Sequence, residues 1–131
     1  GVPGQTDGLT ESWLMSSLKI SADQQADFVR RFVTGKLPVS KEAIAKTEAI
    51  IPQFSAADGW QVYGKTGSGR MRTKANTHDG DWWLGRFVGW AQKGERKVVF
   101  ASLNIDDWKS EEPISFATRD ALIADLPKRV K

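Results

Sequence analysis

The chain has 131 residues, of which 40% are hydrophobic and 27% charged, and its formal net charge is +3. That length suits one globular domain rather than two, and the composition excludes a disordered chain. The basic residues are scattered among sixteen acidic ones, which gives no block for nucleic acid; there is no cysteine for disulfide or thiolate chemistry, and the single histidine, His78, argues against a protein-built zinc site.

No stretch is long and apolar enough to span a membrane. No signal peptide is visible, but the chain opens on Gly1-Val2-Pro3-Gly4 rather than on methionine, which leaves a processed or truncated start open.

Residues 1–12 are rich in Gly, Pro, Thr, Ser and Asp and read as loop. Ser21-Ala22-Asp23-Gln24 places a serine N-cap three residues before a glutamine, the pattern of a capping box. Phe28, Val29, Phe32 and Val33 follow at helical spacing, and Gly35 is placed to end that helix. Ser40 begins a second helix with Ile44, Thr47, Ile50 and Ile51 along one side, stopped by Pro52.

The pattern then changes period. Trp60-Gln61-Val62-Tyr63 alternates as a strand that runs into Gly64-Lys65-Thr66-Gly67, and a charged polar loop is expected from Ser68 to about Asp81. Within it, His78-Asp79-Gly80-Asp81 could gather around a metal, but a solvated loop is the expected setting, and no metal site is assigned. Trp82 to Ala91 and Lys97 to Ile105 read as a hairpin around Lys93-Gly94-Glu95. A last helix is expected to start at Ser115 or Thr118, to run through Ala121, Leu122, Ile123 and Leu126, and to close at Pro127. Two helices, three short-linked strands and one helix make a mixed α+β arrangement, with antiparallel strands flanked by helices and no internal repeat.

The sharpest local feature is Lys65-Thr66-Gly67 at a strand end. Lysine supplies a charge, threonine a hydroxyl, and glycine lets a ligand approach the backbone. Penicillin-recognising serine enzymes carry such a triplet, although taken alone it also fits a plain strand end. It stands in a longer series: Ser12-Trp13-Leu14 and Ser17-Leu18-Lys19-Ile20-Ser21 lie upstream, and Phe87-Val88-Gly89-Trp90 and Phe100-Ala101-Ser102-Leu103-Asn104-Ile105 follow. In order and spacing the whole of residues 1–131 resembles the carboxy-terminal part of a class D (oxacillinase-type) serine β-lactamase, a half-domain of the β-lactamase/transpeptidase fold.

The resemblance implies roles at the matching positions. Lys65 and Thr66 would bind the β-lactam carboxylate and help proton movement near the nucleophile, which makes Lys65 a catalytic residue; Gly67 would leave room beside the substrate, and the Ser68 backbone N–H would be one oxyanion donor. Arg119 would grip the substrate carboxylate through its planar fork. Trp13 would support a carbamylated lysine, the general base, and Leu14 would gate water above it. Without that family context, Trp13-Leu14 reads as a core anchor first, and only the resemblance reverses that order. The family's nucleophilic serine, in a Ser-x-x-Lys motif, and its base lysine would precede Gly1, on an amino-terminal half present as a second chain or lost. The only cofactor implied is the carbon dioxide-derived carbamate on that lysine. The family also implies a β-lactam as substrate and export to the bacterial periplasm.

One Ser-x-x-Lys match does occur, Ser16-Ser17-Leu18-Lys19. A nucleophile of this type opens a helix so that its lysine faces it one turn later, whereas Leu18-Lys19-Ile20 reads as extended and the helix signal begins only at Ser21. Arg86 departs from the aromatic residue common in the family. Other readings stay open: a β-lactam sensor that acylates without turnover, a transpeptidase, or a non-catalytic fragment that meets a partner through its six tryptophans.

Overall fold

The computed structural model describes the backbone of residues 20–72 and 78–130, with side chains at 20–70 and 82–130. Helix α1 spans Ala22–Val33 and opens on the expected capping box: the Ser21 hydroxyl accepts from the Gln24 N–H at 3.0 Å, and the Gln24 side chain accepts from the Ser21 N–H at 2.9 Å. The helix closes in a Schellman motif. Gly35 takes φ +70°, its N–H donates to the Phe32 carbonyl, and the Lys36 N–H donates to the Arg31 carbonyl. Helix α2, Lys41–Ile50, is capped by Ser40 as the sequence suggests. Its apolar side is narrower than expected: Ile44 and Ile51 pack inward, but Ile50 is 82% exposed.

Among the described residues four strands form one antiparallel sheet in chain order: β1 (Gln53–Ser55), β2 (Gln61–Arg72), β3 (His78–Lys93) and β4 (Arg96–Asp106). The sheet differs from the sequence expectation at two places. A fourth strand exists, the three-residue β1, too short to show an alternation. The segment from Ser68, expected as a loop to Asp81, is strand through Arg72 and again from His78. Cross-strand pairing overrides its loop-like composition, because Ser68, Gly69 and Arg70 lie opposite Gly85, Leu84 and Trp83. The β3–β4 loop is Gly94-Glu95, with Gly94 at φ +60°, which fits a two-residue primed hairpin turn.

Helix α3 runs over Ile114–Arg129 after Pro113, so neither Ser115 nor Thr118 is its cap. It also passes through Pro127, which was expected to close it. Pro127 is buried in the last turn, where a missing N–H removes only one ladder bond.

Side chains alternate across the sheet. On one face Trp60, Val62, Phe87, Ala91 and Phe100 meet Leu126 of α3, and the Phe87 ring contacts Phe54 and Phe100 at centroid distances of 5.9 and 5.1 Å. On the other face Val29 and Phe32 of α1 meet Trp90, which stacks on Tyr63 at 5.0 Å. The result is a helix–sheet–helix sandwich with β2 reaching past both cores.

Candidate active site

Strand β2 carries Lys65-Thr66-Gly67-Ser68, and what is free around it decides what it can do. Strand β1 covers the outer edge of β2 only opposite Gln61, Val62 and Tyr63. The last bond on that side is the Gly64 N–H donating to the Pro52 carbonyl at 3.1 Å. Backbone groups of an antiparallel strand point alternately to its two sides, and the β2–β3 register is unbroken from Gln61 to Arg70. The N–H groups of Thr66 and Ser68 therefore point the same way as that of Gly64, to an edge that no described strand covers.

The side chains converge on this edge from both faces. Lys65 projects on the α1 face, beside an apolar hollow lined by Val29, Phe32, Ile51 and Trp90. Its Nζ curls round the strand to donate to the Thr66 carbonyl at 2.8 Å, and it has no carboxylate partner among the described residues. Thr66 and Ser68 project on the α3 face. The Ser68 hydroxyl donates to the Ser115 hydroxyl at 2.8 Å and accepts from the Ser115 N–H at 3.1 Å. An ammonium, a hydroxyl and two outward N–H groups on one edge make a receptor for an anionic or strongly polar carbonyl-bearing ligand.

The glycines separate packing from ligand space. A Cβ at Gly64 would come within 2.5 Å of the Phe87 ring, one at Gly85 within 2.6 Å of Thr118 Oγ1, and one at Gly89 within 1.9 Å of the Tyr63 carbonyl oxygen. Those three are glycine because the sheet and α3 leave no room. A Cβ at Gly67 or Gly69 would meet nothing within 4 Å, and neither residue has a positive φ. Nothing in the packing of the described residues requires glycine there. The sequence singled out Gly67 but not Gly69, nor Ser115 as the partner of Ser68; a Gly-x-Gly after the triplet was the available signal.

Arg119 follows Ser115, the partner of Ser68, by one turn of α3. It lies on α3 with its guanidinium over the rings of Phe54 (5.2 Å) and Phe116 (4.7 Å), and its Nε donates to Asp120 at 2.8 Å. Arg86, directly across from Gly67, donates to the Ile20 carbonyl at 2.9 Å. Trp13, Leu14 and Ser16-Ser17-Leu18-Lys19 lie outside the described residues. No group of three metal-ligating side chains occurs among the described residues, and no helix there is long and apolar enough to cross a membrane.

The chain is 47% identical over 127 residues to the β-lactamase OXA-9 of Klebsiella pneumoniae, an alignment covering 97% of this chain and 46% of that protein. It is 37% identical over 98 residues to OXA-1 of Escherichia coli, covering 75% and 34% respectively. The crystal structure of the class D β-lactamase OXA-427 superposes with a TM-score of 0.83 at 40% identity, over 99% of this chain and 53% of that one. The chain thus spans about half the length of the relatives it matches. Residues 1–125 match the penicillin binding protein transpeptidase domain family. The chain belongs to that family, and the relatives compared above are class D β-lactamases of the OXA type.

Proposed function

We propose that this chain is the substrate-holding, carboxy-terminal part of a class D β-lactamase, whose whole protein hydrolyses β-lactams through a seryl acyl-enzyme. The observation that carries the reading is the open edge of β2, where the Lys65 ammonium and the outward Thr66 and Ser68 N–H groups surround a position that Gly67 leaves empty. Lys65 and the Thr66 hydroxyl take the β-lactam carboxylate. The Ser68 N–H faces the lactam carbonyl oxygen, which gains negative charge as the serine adds, and a fixed donor there lowers the acylation barrier.

Arg119 offers a second grip on the carboxylate. Asp120, which now holds its Nε, is 66% exposed on its side chain, so this surface pair yields at little cost to a better anion. The nucleophilic serine and the base lysine belong to a portion of the protein outside these residues. The carbamate on that lysine supplies the general base for acylation and deacylation. To Trp13 we assign the support of that carbamate through the indole N–H, and to Leu14 the gating of water entry for deacylation. The setting of the whole protein is the bacterial periplasm.

The test is hydrolysis of a chromogenic cephalosporin by the complete protein and its Lys65→Ala variant. Lys65 is exposed, so the variant keeps its fold. The parent turns the substrate over, and the variant loses roughly a hundredfold or more in kcat/KM, on the scale of removing a transition-state contact. A parent without hydrolysis, or a variant equal to it, contradicts the reading.

A further inference from the structure

We propose that the Ser68 side chain is a positioning residue for the oxyanion donor, acting through its paired hydrogen bonds to Ser115 at the start of α3. The inference rests on the function proposed above and assigns how this protein fixes the donor. Gly67-Ser68-Gly69 is an awkward place for a fixed N–H. It lies beyond the reach of β1, on an edge that no described strand covers, and two of its three residues are glycines, which carry the greatest backbone freedom. Ser68 is the only residue of the three with a side chain to anchor.

That anchor is made to something rigid. Ser115 is 2% exposed, and it stands beside Ile114 at 1% and Thr118 at 4%, all pressed against the sheet. Gly85, directly opposite Ser68, brings this turn of α3 so close that a Cβ there would strike Thr118 and Ile114. The Ser68 hydroxyl uses both of its capacities, donating to Ser115 Oγ and accepting from the Ser115 N–H. The second bond satisfies one of the orphan N–H groups of α3, whose own N-cap, Pro113, supplies no side-chain cap. Two bonds on one hydroxyl fix both the distance and the rotation of Ser68, and hence the direction of its N–H on the opposite side of the strand plane from β3. The side chain touches no substrate.

The experiment uses the complete protein and a penicillin, with two readouts: the acylation rate, and the infrared stretch of the acyl-enzyme ester carbonyl, which falls in frequency when well-aimed donors hold its oxygen. Ser68→Ala is expected to acylate about tenfold more slowly, a fraction of the hundred- to thousandfold cost of deleting a donor outright. Its carbonyl band should move to higher frequency and broaden, and Ser68→Thr, which keeps the hydroxyl, should restore both. A merely structural role would lower the melting temperature and leave the band of the folded fraction in place. Ser115→Ala removes the acceptor of the Ser68 hydroxyl without altering β2, and its band should shift in the same direction; an unchanged band there overturns the proposal even if Ser68→Ala does not fold. A parent that acylates while Ser68→Ala keeps the parent's rate and band also overturns it, with the function left standing. A parent that forms no acyl-enzyme overturns the function and this inference together.

Discussion

Substituting alanine at two glycines of one strand, three residues apart, should produce opposite effects. At Gly64 the added methyl would sit 2.5 and 2.7 Å from Phe87 ring carbons and 3.0 Å from the Val88 carbonyl oxygen. Phe87 is fully buried between Phe54 and Phe100 and cannot step aside. Overpacking of this kind costs about 1–3 kcal/mol. At Gly67 the methyl meets nothing within 4 Å, and the backbone conformation is one that alanine adopts. Restricting the unfolded chain there stabilises by about 0.4–1 kcal/mol. The two variants should therefore differ by roughly 1.5–4 kcal/mol in urea unfolding of the complete protein.

Activity should run the other way. In the proposed function the volume that Gly67→Ala fills is the one assigned to substrate beside the Lys65 ammonium, and a displacement of about 1 Å at a reacting centre costs on the order of a hundredfold in rate. Gly67→Ala should be as stable as the parent or more so, yet acylate far more slowly. A Gly67→Ala protein that unfolds more readily than the parent, or acylates at its rate, would refute the assignment of that space to ligand.

Two further outcomes follow from the packing and from charge. Phe87→Ala empties the centre of the α3-side core and should cost about 3–5 kcal/mol, read by denaturant unfolding. The Asp27 carboxyl is held below its ordinary value of 3.8, chiefly by the hydrogen bond from Arg30 at 2.6 Å, with the charges of Arg30 and Arg31 adding to it. Because the folded value is the lower one, its small contribution to stability is fully present above pH 3.8 and fades as pH falls through the folded value. Arg30→Gln should return the Asp27 titration, followed by NMR, toward 3.8, and an unmoved titration would contradict the cause assigned.

What the sequence made legible was local. The Ser21–Gln24 box, the Gly35 terminus, the Ser40 cap and the Gly94 turn each depend on a few neighbouring residues, and each stands where it was expected. The extension of β2 through Arg72 was illegible, because Ser68-Gly69-Arg70 has loop composition and becomes strand only by pairing with Trp83, Leu84 and Gly85. The start of α3 was misplaced for a related reason. Ser115 resembles a cap in sequence, but its hydroxyl and N–H are taken by Ser68, 47 residues away in the chain. The Lys65-Thr66-Gly67 triplet was legible as a motif. The edge that no described strand covers, and the division of the glycines into packing positions and ones with no described neighbour, emerge only from the assembled sheet.

The central claim is that these residues hold a β-lactam for a serine they do not themselves supply. Peptide-level mass spectrometry of the complete protein after exposure to a penicillin tests it most directly. The account predicts one drug-mass adduct, on a serine outside residues 1–131, formed in the parent and much more slowly in Lys65→Ala. An adduct on Ser16, or the absence of any adduct on the parent, would contradict it.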